Sequence, residues 1–262
     1  MNPDASPLAK LSPDSPGENI TLQPERAPLW MRGLVRDVDQ GHLDARLRKA
    51  LKPDAAIDHR REASVLILLA GTETSAELPH DAAVLLTHRS PRLRSHSGQM
   101  AFPGGRRDPE DVNAVDCALR EAWEETGLDR HSLSPLAQLP EVHIRATGYP
   151  VHPVLAHWHS PSPVGVVDPG EADAVASVPL AELLAPENRL TVARGGWHGP
   201  AFRLNGFIIW GFTGGLLDAI ITQAGWEQEW DRDRHYDLVE TLARSRNKEA
   251  VGDQLTERKP TA

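Results

Sequence analysis

Four charged residues in one short stretch are best suited to chemistry: Arg120, Glu121, Glu124 and Glu125. On a helix turning about 100° per residue, the three glutamates fall within an arc of roughly 100°. Like charges at that spacing cost about a few tenths of a kcal/mol per pair. They also lie toward the helix C-terminus, where the dipole disfavours anions. A hard divalent cation removes the conflict, because Mg²⁺ takes one or two carboxylates together with waters and phosphate oxygens. The plain alternative is a solvated acidic helix face, which composition by itself favours.

The elements that must position these groups are legible around them. Val112 to Thr126 reads as a helix, with Val115, Leu119, Ala122 and Trp123 apolar at helical spacing and Gly127 as its stop. Ala63 to Ala70 is a continuous apolar run expected to be a fully buried strand, and Ala82 to Thr87 a second, joined to it as a hairpin. Val142 to Ile144 and Val151 to Trp158 are strand-like, Ala174 to Val178 more weakly so, and Pro179 to Leu184 reads as a helical turn. Phe207 to Trp226 is long enough to mimic a membrane span. Gly214, Gly215 and Asp218 argue instead for a strand, Phe207 to Gly211, running into a helix, Leu216 to Ala224. Pro28 to Leu51 contains a helix-like stretch, and Asp237 to Arg244 a candidate helix. The mixture predicts a compact α/β sandwich.

At 262 residues the chain is expected to be one elaborated domain. Residues 1–27 carry five prolines and few large apolar groups, so they are expected to be disordered; 28–230 form the domain and 231–262 a charged tail. The net charge of −9 argues against a nucleic-acid partner, and the segment reading above against a membrane. The single cysteine, Cys117, excludes a disulfide framework and reads as a packed side chain. MNPDASPLAK lacks the basic-then-apolar order of a secretory signal, so a cytoplasmic enzyme or binding protein is the expectation. Against this acidic background, residues 88–107 hold five arginines and no acid. His88, His96, His143, His152 and His157 do not repeat at a metal-binding spacing and are expected on the surface or in the core. Trp197, Trp210, Trp226 and Trp230 are expected to be core or interface material.

Gly104 to Asp111, followed by Arg120-Glu121-Ala122-Trp123-Glu124-Glu125-Thr126-Gly127-Leu128, resembles the Nudix box. The second half agrees at every defined position. In the first half Asp111 stands where the pattern has Glu, and one extra residue separates it from Arg120, which puts the role of Asp111 in doubt. Leu85-Leu86-Thr87-His88-Arg89-Ser90, Arg94, Gly98 and Phe102-Pro103-Gly104-Gly105 are similar to the motif that precedes the box in coenzyme A pyrophosphatases. An Asp-x-x-Asp form, here Asp108 and Asp111, is also familiar in that subfamily. Together the motifs cover 85–128, and weaker likenesses carry the resemblance over roughly 60–225.

The resemblance implies a Nudix-type α/β/α sandwich around a mixed sheet, with a helical N-terminal extension and polar termini. It implies hydrolysis of a nucleoside diphosphate derivative with Mg²⁺ or Mn²⁺, held by Glu121, Glu124, Glu125 and the carbonyl of Gly104. Arg120 would orient Glu121 through a charge-assisted hydrogen bond. Candidates for general base are Glu121, Glu124 and Glu171, the last in the loop VVDPGEADAV. Arg89 and Arg94 are candidates for holding substrate phosphates. The expected substrate is coenzyme A, cleaved to 3′,5′-ADP and 4′-phosphopantetheine. ADP-ribose, NADH and a non-catalytic nucleotide-binding module are the alternatives. A homodimer is compatible with the resemblance.

Overall fold

The central strand, β1 (Ala63–Ala70), alternates between two cores. Leu66 and Leu68 face one, Ile67 and Leu69 the other. Cover on both faces is why its sequence is apolar without interruption. The computed structural model describes residues 15–42, 62–93, 95–143 and 150–249.

Around β1 stand β2 (Ala83–Arg89), β3 (Met100–Ala101), β4 (Gly104–Arg106), β5 (Ser134–Gln138), β6 (Val142–His143), β7 (Pro150–His157) and β8 (Ala172–Pro179). β1 pairs antiparallel with β2 and β4 but parallel with β7. The sheet is therefore mixed, in the order β3-β2-β1-β7-β5, with β8 on β2. Helix α1 (Arg32–Asp39) packs on one face and α2 (Ala114–Thr126) on the other. α3 (Leu180–Leu184) and α4 (Gly211–Gln223) join α1. This is the expected α/β/α sandwich. Among the described residues no helix is long and apolar enough to cross a membrane.

Helix α2 carries the glutamates, and its limits follow from local chemistry. Asn113 caps its start by accepting a hydrogen bond from the Asp116 amide at 3.0 Å. Gly127 ends it in the left-handed conformation at φ 72°. Val115, Ala118, Leu119 and Ala122 bury one stripe against β1 and β7.

Other expectations need correction. A second, four-stranded sheet comprises β9 (Arg189–Arg194), β10 (Trp197–Leu204), β11 (Phe207–Ile209) and β12 (His235–Asp237). Its hairpin, β9–β10, was not anticipated, because Pro200 and paired glycines interrupt the pattern. Packed on it is α5 (Leu238–Ala243), through Leu238 and Leu242, so the domain continues past 230. Residues 15–27, expected to be disordered, are anchored by polar contacts that composition does not reveal. Asn19 Nδ2 donates to the Arg130 and Leu133 carbonyls at 2.6 and 2.9 Å, and Gln23 N to Pro135 O at 2.7 Å. Residues 1–14, 43–61 and 250–262, with Arg94 and 144–149, lie outside the described residues.

Candidate active site

Strand β4 lies so close to its neighbours that a side chain at Gly104 or Gly105 would collide with them. Gly104 has φ 156°, and a Cβ there would stand 2.3 Å from the Ser64 carbonyl oxygen. A Cβ on Gly105 would stand 2.3 Å from Glu121 Oε2. Two glycines thus let the backbone lie directly against a carboxylate.

Arg120 organises the acidic groups. Its Nε and Nη2 donate to the two oxygens of Asp111, both at 2.9 Å, and Nη2 also reaches the Arg106 carbonyl at 2.9 Å. Nη1 donates to Glu121 Oε1 at 3.0 Å and Glu124 Oε2 at 3.1 Å. The expected Arg120–Glu121 contact is present. Asp111, whose place in the box was in doubt, receives the planar fork of Arg120 and also accepts from the Asp108 amide at 2.8 Å. The shorter side chain, set back by one residue, still meets the guanidinium because the loop folds over it.

Glu125 is turned the other way, accepting from the Gly104 amide at 3.3 Å. Its second oxygen lies 3.7 Å from Arg89 Nη1. The buried Arg89 Nε has no hydrogen-bond partner among the described residues. Arg94 lies outside those residues. Glu171 is exposed, and its carbonyl accepts from the Ser90 amide at 2.8 Å, which fixes its loop beside Arg89. The structure therefore brings Gly104, Arg120, Glu121, Glu124, Glu125, Arg89 and Glu171 into one neighbourhood.

Burial pushes Glu121 up to about 7, against the pull of Arg120, and repulsion from Glu124 and Glu171 adds to the rise. Burial likewise pushes Glu125 up to about 7, with Arg89 and the Gly104 amide opposing and Glu121 and Glu171 adding. Glu124 is raised by burial, opposed by Arg120, with Asp108 and Glu171 contributing repulsion. Burial pushes the Cys117 thiol up to about 12, so it is an inert packed group, as expected.

These carboxylates fit a hard divalent cation. They are oxygen donors from one stretch of helix that repel one another and are only partly neutralised by the protein. Among the described residues no three acidic or imidazole groups already converge on one point. Glu121 and Glu124 instead share the charge of one Arg120 nitrogen, while Glu125 faces Gly104 and Arg89.

Of the histidines, His88 and His157 are core residues; the former bridges Asp173 and the carbonyls of Gly98 and Asn247. Trp226 packs on Trp30, and Trp230 lies against Arg189 and Arg232. What sequence reasoning missed is a C-terminal strap. Asn247 and Glu249, in the expected tail, hold Ile208, Gln99 and Trp210. No periodicity in that polar stretch marks it.

The NUDIX domain profile matches residues 59–195. A protein of Citrobacter koseri named uncharacterized Nudix hydrolase NudL is 34% identical over 182 residues, covering 64% of this chain and 84% of that protein. Its namesake in Escherichia coli K12 is 34% identical over 157 residues, covering 54% and 75%. The crystal structure of a Nudix hydrolase from M. smegmatis, RenU, is 27% identical with a TM-score of 0.39, covering 49% of this chain and 76% of that one. With half of its length matched by that profile, the chain belongs to the Nudix hydrolase family, the pyrophosphohydrolases of phosphorus anhydrides in nucleoside diphosphate derivatives.

Proposed function

We propose that this chain hydrolyses the pyrophosphate of coenzyme A and its derivatives to 3′,5′-ADP and 4′-phosphopantetheine. One observation carries the reading. The segment that resembles the coenzyme A pyrophosphatase motif folds directly onto the glutamates, with Arg89 beside Glu125 and its buried Nε without a partner among the described residues. The Arg89 guanidinium is still partly exposed there and offers donors to a phosphate oxygen.

Glu121, Glu124, Glu125 and the Gly104 carbonyl would hold Mg²⁺ or Mn²⁺. Bound there, the ion supplies charge neutralisation on the pyrophosphate and a lower pKa for the attacking water. Arg120 orients Glu121 and Glu124, and Arg89, with Arg94, grips phosphate oxygens. Glu121, Glu124 and Glu171 remain the candidates for removing the proton of the attacking water. Among them Glu171 is favoured, because Arg120 already engages the other two. Water attacks one phosphorus, the bridging P–O bond breaks, and the leaving phosphate departs with the bond pair.

Incubation of the full chain and Mg²⁺ with coenzyme A, ADP-ribose and NADH in parallel, with products identified by mass, tests the substrate. A higher kcat/KM for coenzyme A is expected. A preference for ADP-ribose or NADH overturns the assignment but not the family, and no turnover of any of the three favours a nucleotide-binding module.

A further inference from the structure

A cavity of about 380 Å³ is lined by His88, Asp173, Phe207, Ser245, Arg246 and Lys248. It lies across the sheet from the glutamates. Phe207 packs with the core that holds α1 and α4, whereas the core of α2 lies on the other face.

The strap builds this cavity by alternation. Asn247 is fully buried: its Oδ1 accepts from the Ile208 amide at 2.8 Å, and its Nδ2 donates to the Ile208 carbonyl at 2.9 Å. Glu249 accepts from Gln99 Nε2 at 2.6 Å and Trp210 Nε1 at 2.9 Å. With 247 and 249 turned inward, Arg246 and Lys248 remain exposed and line the cavity. The Arg246 guanidinium lies 4.8 Å from the Phe207 ring centroid, and its Nη1 donates to the Asn205 carbonyl at 3.3 Å. Its stem lies over Gly206, where a Cβ would meet Cδ at 2.9 Å. Asp173, the acid on the rim, is engaged by His88. Among the described residues neither Arg246 nor Lys248 has a carboxylate partner. In a chain of net charge −9, two such cations beside an aromatic wall form a prepared seat for an anion.

We propose that this cavity is an oxyanion site that takes the phosphomonoester group of a phosphorylated small molecule. Arg246 offers a fork, Lys248 a point charge, and Phe207 an apolar wall for the adjoining moiety. The site does not depend on the substrate assignment above. Glu171 and Asp173 are two residues apart, so one stretch of chain runs from the glutamate side of the sheet to the cavity. The phosphate therefore belongs either to a remote end of the hydrolysed molecule or to a separate ligand.

Titration of the ¹⁵N-labelled full chain with inorganic phosphate, against chloride at equal ionic strength, tests the proposal. Saturable shifts of the amides at 205–208 and 245–248 are expected with phosphate alone. Binding about tenfold weaker is expected in Lys248→Gln, and weaker still in Arg246→Gln/Lys248→Gln. Equal shifts in chloride, or unchanged binding in Lys248→Gln, overturn it. The single variant leaves Arg246 packed on Phe207, so the answer survives if the double variant fails to fold. The two sources are told apart by KM for coenzyme A and dephospho-coenzyme A. A rise of about tenfold in Lys248→Gln for the former only assigns the phosphate to the substrate. An unchanged KM with phosphate binding lost assigns it to a separate ligand. Phosphate binding is read without turnover, so failure of the hydrolysis reading leaves this result intact.

Discussion

Helix α2 buries acids at both ends and treats them in opposite ways. At its start Asp116 accepts from Arg130 Nη1 at 2.7 Å and from the amides of Val112 and Gly17. Burial alone would raise this acid. The Arg130 hydrogen bond and the two amides outweigh it and hold Asp116 below its ordinary value of 3.8. At the other end Glu121 and Glu125 are pushed up to about 7, because burial outweighs what Arg120 and Arg89 return. The protein satisfies the first charge by itself and leaves the other two under-compensated, which suits the cation proposed for them.

Removing charge should separate the two ends. Glu121→Gln is expected to lower kcat by about 10²–10⁴-fold while Tm stays level or rises, since the lost carboxylate is costly when ionised. A normal rate in that variant breaks the contrast. Asp116→Asn should do the reverse, costing about 3–5 kcal/mol in urea denaturation by removing the carboxylate charge that faces the buried Arg130 guanidinium. The fraction still folded should keep its kcat. Gly105→Ala forces a methyl toward Glu121 and is expected to cost about 10² in kcat with a smaller loss of stability. The pH dependence sharpens the comparison further. Because Asp116 is depressed in the folded state, its stabilisation is full above the ordinary carboxylate value and fades as pH falls through the folded one. Urea midpoints measured below about pH 4 should therefore fall steeply in the parent and more gently in Asp116→Asn. Asn113→Ala, which removes the cap and the Nδ2 hydrogen bond to the Ile20 carbonyl, should cost about 1–2 kcal/mol.

The residues of the site were legible where the signal is local. Helical spacing, the Asn113 cap, the Gly127 stop and the apolar run of β1 all act over a few residues, and the structure follows them closely. The role of Asp111 was not legible, because it depends on a loop folding back onto Arg120 from the previous strand. Nor was the order of residues 15–27, which rests on Asp116, Arg130 and Pro135, about a hundred positions away. Low apolar content predicts weak burial, yet these residues are held by polar anchors instead.

By itself the amino-acid order determined the helix, the central strands and the placement of three glutamates on one face, since short-range sterics and periodicity govern those features. Tertiary structure alone decided which acids are satisfied and which are strained, and that a polar terminus returns to frame a cationic cavity. Burial, and contacts between groups far apart in the chain, set those outcomes. Neither is encoded in the spacing of neighbours.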